Sequence, residues 1–195
     1  MVTDLLKSVQ TNLGYPELKK IDPNTAQPVE NSSKPDEDRL SQAVVSAVLA
    51  GIYKLAKNDE GIEKIASETS VSNWVEIIFG VNKPEVLKNI SEYSYYKPDA
   101  VEDKMNEVAT EAIKLSREVT KTGENMDGLR NFLASQRNNI LPYLPPALHI
   151  GSMLEDTTID DTTTKMEGPV STLMHKLENV FSGHETREEA DRKHF

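Results

Sequence analysis

Cysteine is absent from this chain of 195 residues, and glycine and histidine are sparse. Without thiols there is no disulfide framework, no thiolate zinc site and no cysteine nucleophile. The nine glycines are scattered, so no glycine-rich loop stands between a strand and a helix to hold phosphate. None of the four histidines is four residues from another, and no Glu-x-x-His pattern of the di-iron bundles occurs. We therefore expect no metal and no cofactor.

Positive charge and long apolar runs are also scarce. Lysine and arginine number 22 against 32 aspartate and glutamate residues, a formal net charge of -10, so the surface should repel nucleic acid. The most apolar stretch, Ala43 to Ala56, is interrupted by polar residues and is too short to span a bilayer. The start, Met1 to Asp4, lacks the basic region and apolar core of a secretion signal. We expect no membrane span and a cytoplasmic protein.

Recognisable catalytic patterns are missing as well. No Gly-x-Ser-x-Gly motif occurs, and Ser182 and His184 lie at a predicted helix end beside a charged tail, where nothing would orient a base. The acidic stretch with Asp156 and Asp160 lacks the glycine and terminal glutamate of a calcium loop. We interpret it as an exposed polar loop. The sequence thus predicts no catalytic residue and a protein that is not an enzyme.

What the chain does contain is apolar residues at helical spacing almost from end to end. They predict a helix over Thr3 to Leu13, capped by Thr3 and stopped by Gly14, a central helix over Asp38 to Lys57, and a long helix from Pro98 to about Thr120. No alternating strand pattern of useful length is present. The predicted fold is all-α, a single compact bundle of about seven to eight helices with a long N-terminal linker and an amphipathic C-terminal helix.

Proline and polar residues divide this pattern into segments. We predict an N-terminal helix in residues 1–21, a linker or long loop in 22–37, a helical core domain in 38–154, an acidic, threonine-rich loop in 155–168, and the amphipathic helix with a charged tail in 169–195. Within the core, the stretch from Leu141 to Pro146 is apolar but rich in proline. We interpret it as a buried corner, and the alternative is an extended ligand for a partner domain.

Three motifs follow one another in the middle of the chain: Trp74 to Gly80 (WVEIIFG), Val86 to Ser91 (VLKNIS) and, after the long helix from Pro98, the leucine-centred Leu129 to Leu133. This succession, over about Trp74 to Leu148, resembles the YidB-like bacterial proteins of unknown function. The chain departs from that family in lacking glycine-rich tracts and a proline inside the long helix. The resemblance implies a helical fold and a bacterial protein, and it implies no catalytic residues.

Two groups of residues are candidates for contact with a partner. Tyr93, Tyr95 and Tyr96 lie in a predicted turn, where exposed rings can bind another molecule; the alternative is that they cover the core where two helices meet. The C-terminal helix carries an apolar stripe that could dock on a partner or on a second copy, or pack on its own domain. The stripe's contact candidates are Leu173, Met174, Leu177, Val180 and Phe181.

The sequence therefore predicts a non-catalytic helical protein that acts through protein contacts or through self-association as a homo-oligomer. Amphipathic helices at both ends of the chain and the empty catalytic inventory support this prediction. The alternative is a bundle that binds a small apolar ligand or a lipid in a pocket lined by the wide apolar face of Leu40 to Leu55. A site assembled from dispersed acidic residues is a third, less favoured hypothesis.

Overall fold

The computed structural model describes residues 4–21, 35–67, 71, 73–120 and 125–156. In these ranges every regular element is helical and no strand occurs, which confirms the predicted all-α fold. Residues 22–34 of the predicted linker (22–37) and the C-terminal helix predicted in 169–195, with its five contact candidates, lie outside these ranges. Seven helices have six or more residues: α1 Leu5–Leu13, α2 Pro35–Leu55, α3 Asp59–Ser67, α4 Trp74–Phe79, α5 Lys83–Ser94, α6 Pro98–Thr120 and α7 Met126–Ser135.

Single helical turns complete the described chain. The turns α8 Arg137–Ile140 and α9 Ile150–Met153 are α-helical, whereas Gly80–Asn82, Leu141–Tyr143 and Pro146–Leu148 are 3₁₀ turns. The proline-rich stretch is thus a corner built of short turns, because each proline removes an amide donor and stops a longer helix. Its apolar side chains are buried, as the corner interpretation predicts: Leu141, Leu144 and Leu148.

The N-terminal helix begins and ends on local signals. The Asp4 carboxylate accepts a hydrogen bond of 3.1 Å from the amide of Lys7, so Asp4 is the cap. The predicted cap, Thr3, lies outside the described residues. Gly14 ends the helix with φ 69°, the left-handed conformation that glycine adopts without strain. Leu5, Leu6 and Val9 are buried in the common core, so α1 shares its hydrophobic interior with α2 and α6.

The central helix is α2, and it is buried around its whole circumference between Leu40 and Ile52. It packs against α1, α4, α5 and α6, as its wide apolar face predicts. The helix starts at Pro35, three residues before the predicted Asp38, because proline fits the first helical turn and the acidic residues that follow favour a helix N-terminus. Part of the predicted linker is therefore helical.

One close approach fixes how α4 crosses α2. A Cβ atom added to Gly51 would lie 2.3 Å from Cγ2 of Ile78 and 3.1 Å from Cζ of Phe79. Only glycine lets the two helices come this near. The long helix α6 packs against α1, α2 and α5. Its apolar residues at helical spacing are buried: Val101, Met105, Val108, Ala109, Ala112, Ile113 and Leu115.

Candidate protein-contact site

The three tyrosines predicted to lie in a turn do not form one patch. Helix α5 ends at Ser94, and Tyr95 is its C-terminal cap with φ 62° and ψ 20°. Tyr93 and Tyr96 are half-buried and pack against the core, whereas Tyr95 is 72% exposed. The core-covering alternative therefore describes Tyr93 and Tyr96, and the exposed-ring alternative describes Tyr95.

The backbone at Tyr95 is held in a conformation that tyrosine seldom adopts. The left-handed region is unfavourable by roughly 1–2 kcal/mol for a residue with a Cβ atom, and glycine or asparagine is usual at this helix position. Strained residues of this kind persist where the surrounding structure determines them and concentrate at functional sites. The fold thus places a large aromatic ring in solvent at a position better suited to glycine.

A cation from another helix accompanies the exposed ring. The Cζ atom of Arg39, in the second turn of α2, lies 5.3 Å from the centroid of the Tyr95 ring. This distance is within the range of an attractive cation–π contact, which is worth about 0.5–1 kcal/mol at an exposed site. Arg39 and Tyr95 are 56 positions apart in the chain, and no local sequence pattern signals that they meet. We call this pair the Arg39–Tyr95 surface.

Tyr93, in the last turn of α5, has a buried hydroxyl with no hydrogen-bond partner within the described residues. Burial raises the pKa of Tyr93, and the positive charge of Arg39 opposes part of that rise. A buried unpaired hydroxyl is unfavourable by about 1–3 kcal/mol. Arg39 therefore influences both tyrosines: its guanidinium group contacts the Tyr95 ring, and its positive charge acts on the pKa of Tyr93.

The arrangement suits binding better than chemistry. An exposed ring beside a guanidinium group offers an apolar face that a partner can cover, and tyrosine and arginine are among the residues enriched in the centres of protein interfaces. Two further apolar side chains are exposed elsewhere on the described surface, Val81 at 93% and Met126 at 50%. They stand on other elements, and Val81 supplies a control position for the Arg39–Tyr95 surface.

The described residues contain no candidate metal cluster and no candidate membrane span. No group of three or more histidine, cysteine, aspartate or glutamate side chains is placed to hold a metal ion within the described residues. His149 is exposed, and the other three histidines lie outside the described ranges. Across the described helices, none combines the length and the apolar character needed to cross a bilayer.

Comparison with known proteins gives no family for this chain. No protein-family model, no curated protein and no solved structure matches it. The resemblance to the YidB-like proteins accordingly stays a prediction.

Proposed function

We propose that this is a non-catalytic helical protein that acts through protein contacts, and that the first contact to test is self-association. The observation that carries the proposal is the Arg39–Tyr95 surface. A 72% exposed ring is held in a strained backbone conformation at a position where glycine is locally preferred. Binding another protein would cover the ring, and the strained conformation would then serve to present that ring to the partner.

The apolar stripe of the C-terminal segment supports the same proposal from the sequence. Its six apolar residues, from Val170 to Phe181, would form one face of a helix, and burying such a face contributes on the order of 10 kcal/mol before entropy is subtracted. A second copy of the chain presents the same stripe and the same exposed ring. Both surfaces could therefore be covered in a symmetric dimer.

Burial within α2 favours this proposal over the pocket for an apolar ligand. Val44, Ala47, Val48 and Ile52, on the face that would line the pocket, each have an exposed fraction of 0%. A side chain with no exposed surface has no water-sized space beside it, so a ligand would first have to part α2 from its neighbours. Close packing of this kind is typical of a solid core.

The test is the mass of the full chain in solution, measured by sedimentation velocity and light scattering across a range of concentrations. We expect the parent chain to dimerise and the variants Tyr95→Asn and Leu177→Asp each to dissociate at higher protein concentration. Asparagine tolerates the left-handed backbone, so Tyr95→Asn removes the ring without disturbing the turn. The matched control is Val81→Asn, which removes an exposed apolar side chain elsewhere and should leave the mass unchanged.

A parent chain that stays monomeric at every concentration would contradict self-association. An assembly that is weakened equally by Val81→Asn and Tyr95→Asn would contradict the assignment of the contact to the Arg39–Tyr95 surface. Far-UV circular dichroism of each variant checks that the helical content is retained.

A further inference from the structure

The last described residues form a short element that is held mainly by side chains from other parts of the fold. This element, which we call the strap, runs from His149 to Asp156 and contains the single turn α9. It begins at His149 with φ 52°, and Glu155, one residue before its end, also has φ 52°. Two non-glycine residues in the left-handed region mean that local backbone preference opposes the closed strap.

A buried carboxylate fastens the end of the strap to α2 and to the turn after it. Asp156 is only 7% exposed. The prediction of an exposed loop is therefore wrong for this residue. Its Oδ2 atom lies 2.5 Å from Nζ of Lys57 and 3.9 Å from Nζ of Lys54. Lys54 Nζ also donates to the carbonyl of Glu155 at 3.5 Å, and Lys57 Nζ lies 4.5 Å from the centroid of the Tyr53 ring. We call this group the latch.

The electrostatics of the latch are those of one carboxylate shared by two ammonium groups. Burial by itself lowers the pKa of Lys57, but the hydrogen bonds to Asp156 and Tyr53 outweigh it, so the pKa is raised overall. Lys57 therefore stays charged through the neutral range. Removing the Asp156 charge would leave both ammonium groups without this carboxylate and would weaken the attachment at the end of the strap.

A second attachment holds the middle of the strap, and a third fixes the chain just before it. Asn82 Nδ2 donates to the carbonyl of Met153 at 2.6 Å. Asn89 Nδ2 donates to the carbonyl of Leu148 at 3.2 Å, and Leu148 is completely buried. The chain before His149 is thus anchored independently, and the exposed, left-handed His149 is the natural hinge.

The strap cannot keep its own structure once it is detached. Its internal hydrogen bonds join residues only three to five positions apart, from the amides of Met153, Leu154, Glu155 and Asp156. A single helical turn is unstable in water without tertiary contacts. These four amides should therefore lose their protection together whenever the strap leaves α2.

We propose that the strap is a conformational device: it opens as a unit at His149, and the Asp156 latch controls how often it does so. Opening would uncover Ile150, Met153 and Leu154 and the part of α2 beneath them. It would also free eight residues, whose fully extended length is at most about 26–29 Å.

The experiment is hydrogen–deuterium exchange of the full chain, followed by mass spectrometry with fragmentation that resolves single amides. In Asp156→Asn we expect the amides of Met153 to Asp156 to exchange at least tenfold faster, all by a similar factor, while Leu148 and the α6 amides keep their parental rates. Lys57→Gln should act in the same direction from the other side of the latch. The matched control, Glu60→Gln, removes a largely exposed carboxylate paired with Lys64 on α3 and should leave the strap unchanged.

Three results would overturn the proposal. The first is acceleration confined to Glu155 and Asp156, which would mean that the end frays and the strap does not open as a unit. The second is equal acceleration in the strap and in α6, which would mean global destabilisation. The third is exchange in both latch variants within twofold of the parent rate.

Discussion

The side-chain oxygen of Gln136 accepts a hydrogen bond of 3.0 Å from the backbone amide of Leu5, 131 residues earlier in the chain. Gln136 is 2% exposed and stands between α7 and α8, so a residue near the end of the fold satisfies a donor at the start of α1. The first amides of a helix have no partner inside it. This bond therefore joins the N-terminal helix to the rest of the bundle.

Replacing Gln136 with alanine should leave the Leu5 amide buried and unpaired. We expect Gln136→Ala to lower the free energy of unfolding by about 1–3 kcal/mol, measured by urea denaturation followed by circular dichroism. The control is Asn131→Ala, which removes an exposed amide side chain from α7 and should change stability by less than about 0.5 kcal/mol. Equal small losses in both variants would contradict a structural role for this bond.

Gly51 should not tolerate even one added methyl group. Glycine to alanine inside an exposed helix usually stabilises by about 0.5–1 kcal/mol. Here the new Cβ would lie 2.3 Å from Cγ2 of Ile78, so we expect Gly51→Ala to destabilise by about 1–3 kcal/mol.

A double-mutant cycle identifies the cause of that loss. Ile78→Ala removes the atom that would clash, so the pair Gly51→Ala and Ile78→Ala should be less destabilising than the sum of the single changes. Additive losses in the urea midpoint would show that the α2–α4 approach is not the reason. A gain in stability from Gly51→Ala alone would contradict the close packing itself.

The helices could be predicted from the sequence because their signals are local. The apolar spacing of α6, the stop at Gly14 and the proline-rich corner each depend on residues within a few positions of one another. The helix starts at Pro35 and not at the predicted Asp38, because proline is typical of loops but also suits a first helical turn.

The polar contacts that join the elements could not be predicted in this way. Gln42 illustrates the difficulty: within the stripe of α2 it is an ordinary polar residue, yet it is 4% exposed. Its side chain accepts from the Lys19 amide at 2.9 Å and donates to the Tyr143 carbonyl at 2.5 Å. The residue types around Asp156 predict an exposed loop, because the lysines that contact its carboxylate are about 100 positions away in the chain. Periodicity carries no information about such partners.

The candidate site was predictable only in part for the same reason. The tyrosine-rich turn is visible in the sequence, but which ring faces solvent depends on the left-handed cap at Tyr95. The arginine beside that ring comes from a helix far away in the chain. The apolar stripe of residues 170–181 is likewise visible in the sequence. The mass of the chain in solution tests whether a second copy covers it.

Removing the Tyr93 hydroxyl should stabilise the protein. Because the hydroxyl is buried without a partner, we expect Tyr93→Phe to raise the free energy of unfolding by about 1 kcal/mol at neutral pH. The pKa of Tyr93 is raised by burial, so in the unfolded chain this phenol ionises first, near pH 10. The parent should therefore lose stability as the pH rises through that range, and the variant should lose less.

The measurement is urea denaturation of both chains at neutral pH and at several pH values from about 9 to 11, where Tyr93 begins to ionise in the unfolded chain. The advantage of Tyr93→Phe should grow as the medium becomes more alkaline. A constant difference between the two chains across this range would contradict the raised pKa, and a destabilised variant would contradict the missing hydrogen-bond partner.

The short helix α4 depends on a side chain from α6. Asn73 Oδ1 accepts from the Glu76 amide at 3.0 Å, and Asn106 Oδ1 accepts from the Val75 amide at 3.1 Å, so two of the unpaired donors in the first turn are satisfied. Six residues are too few to form a stable helix alone. Asn106→Ala should therefore loosen α4 and lower the free energy of unfolding by about 1 kcal/mol, as the loss of a helix cap does.

Trp74, the only tryptophan, begins α4 and is 4% exposed, which makes it a reporter of this change. We expect its fluorescence emission to shift to longer wavelength in Asn106→Ala, because a loosened first turn admits water to the indole ring. Thr110→Ala, on the exposed side of the same helix, is the control and should leave the emission unchanged. Identical spectra and stabilities in the two variants would contradict a role for Asn106 at the start of α4. The helix would then be held by its apolar contacts alone.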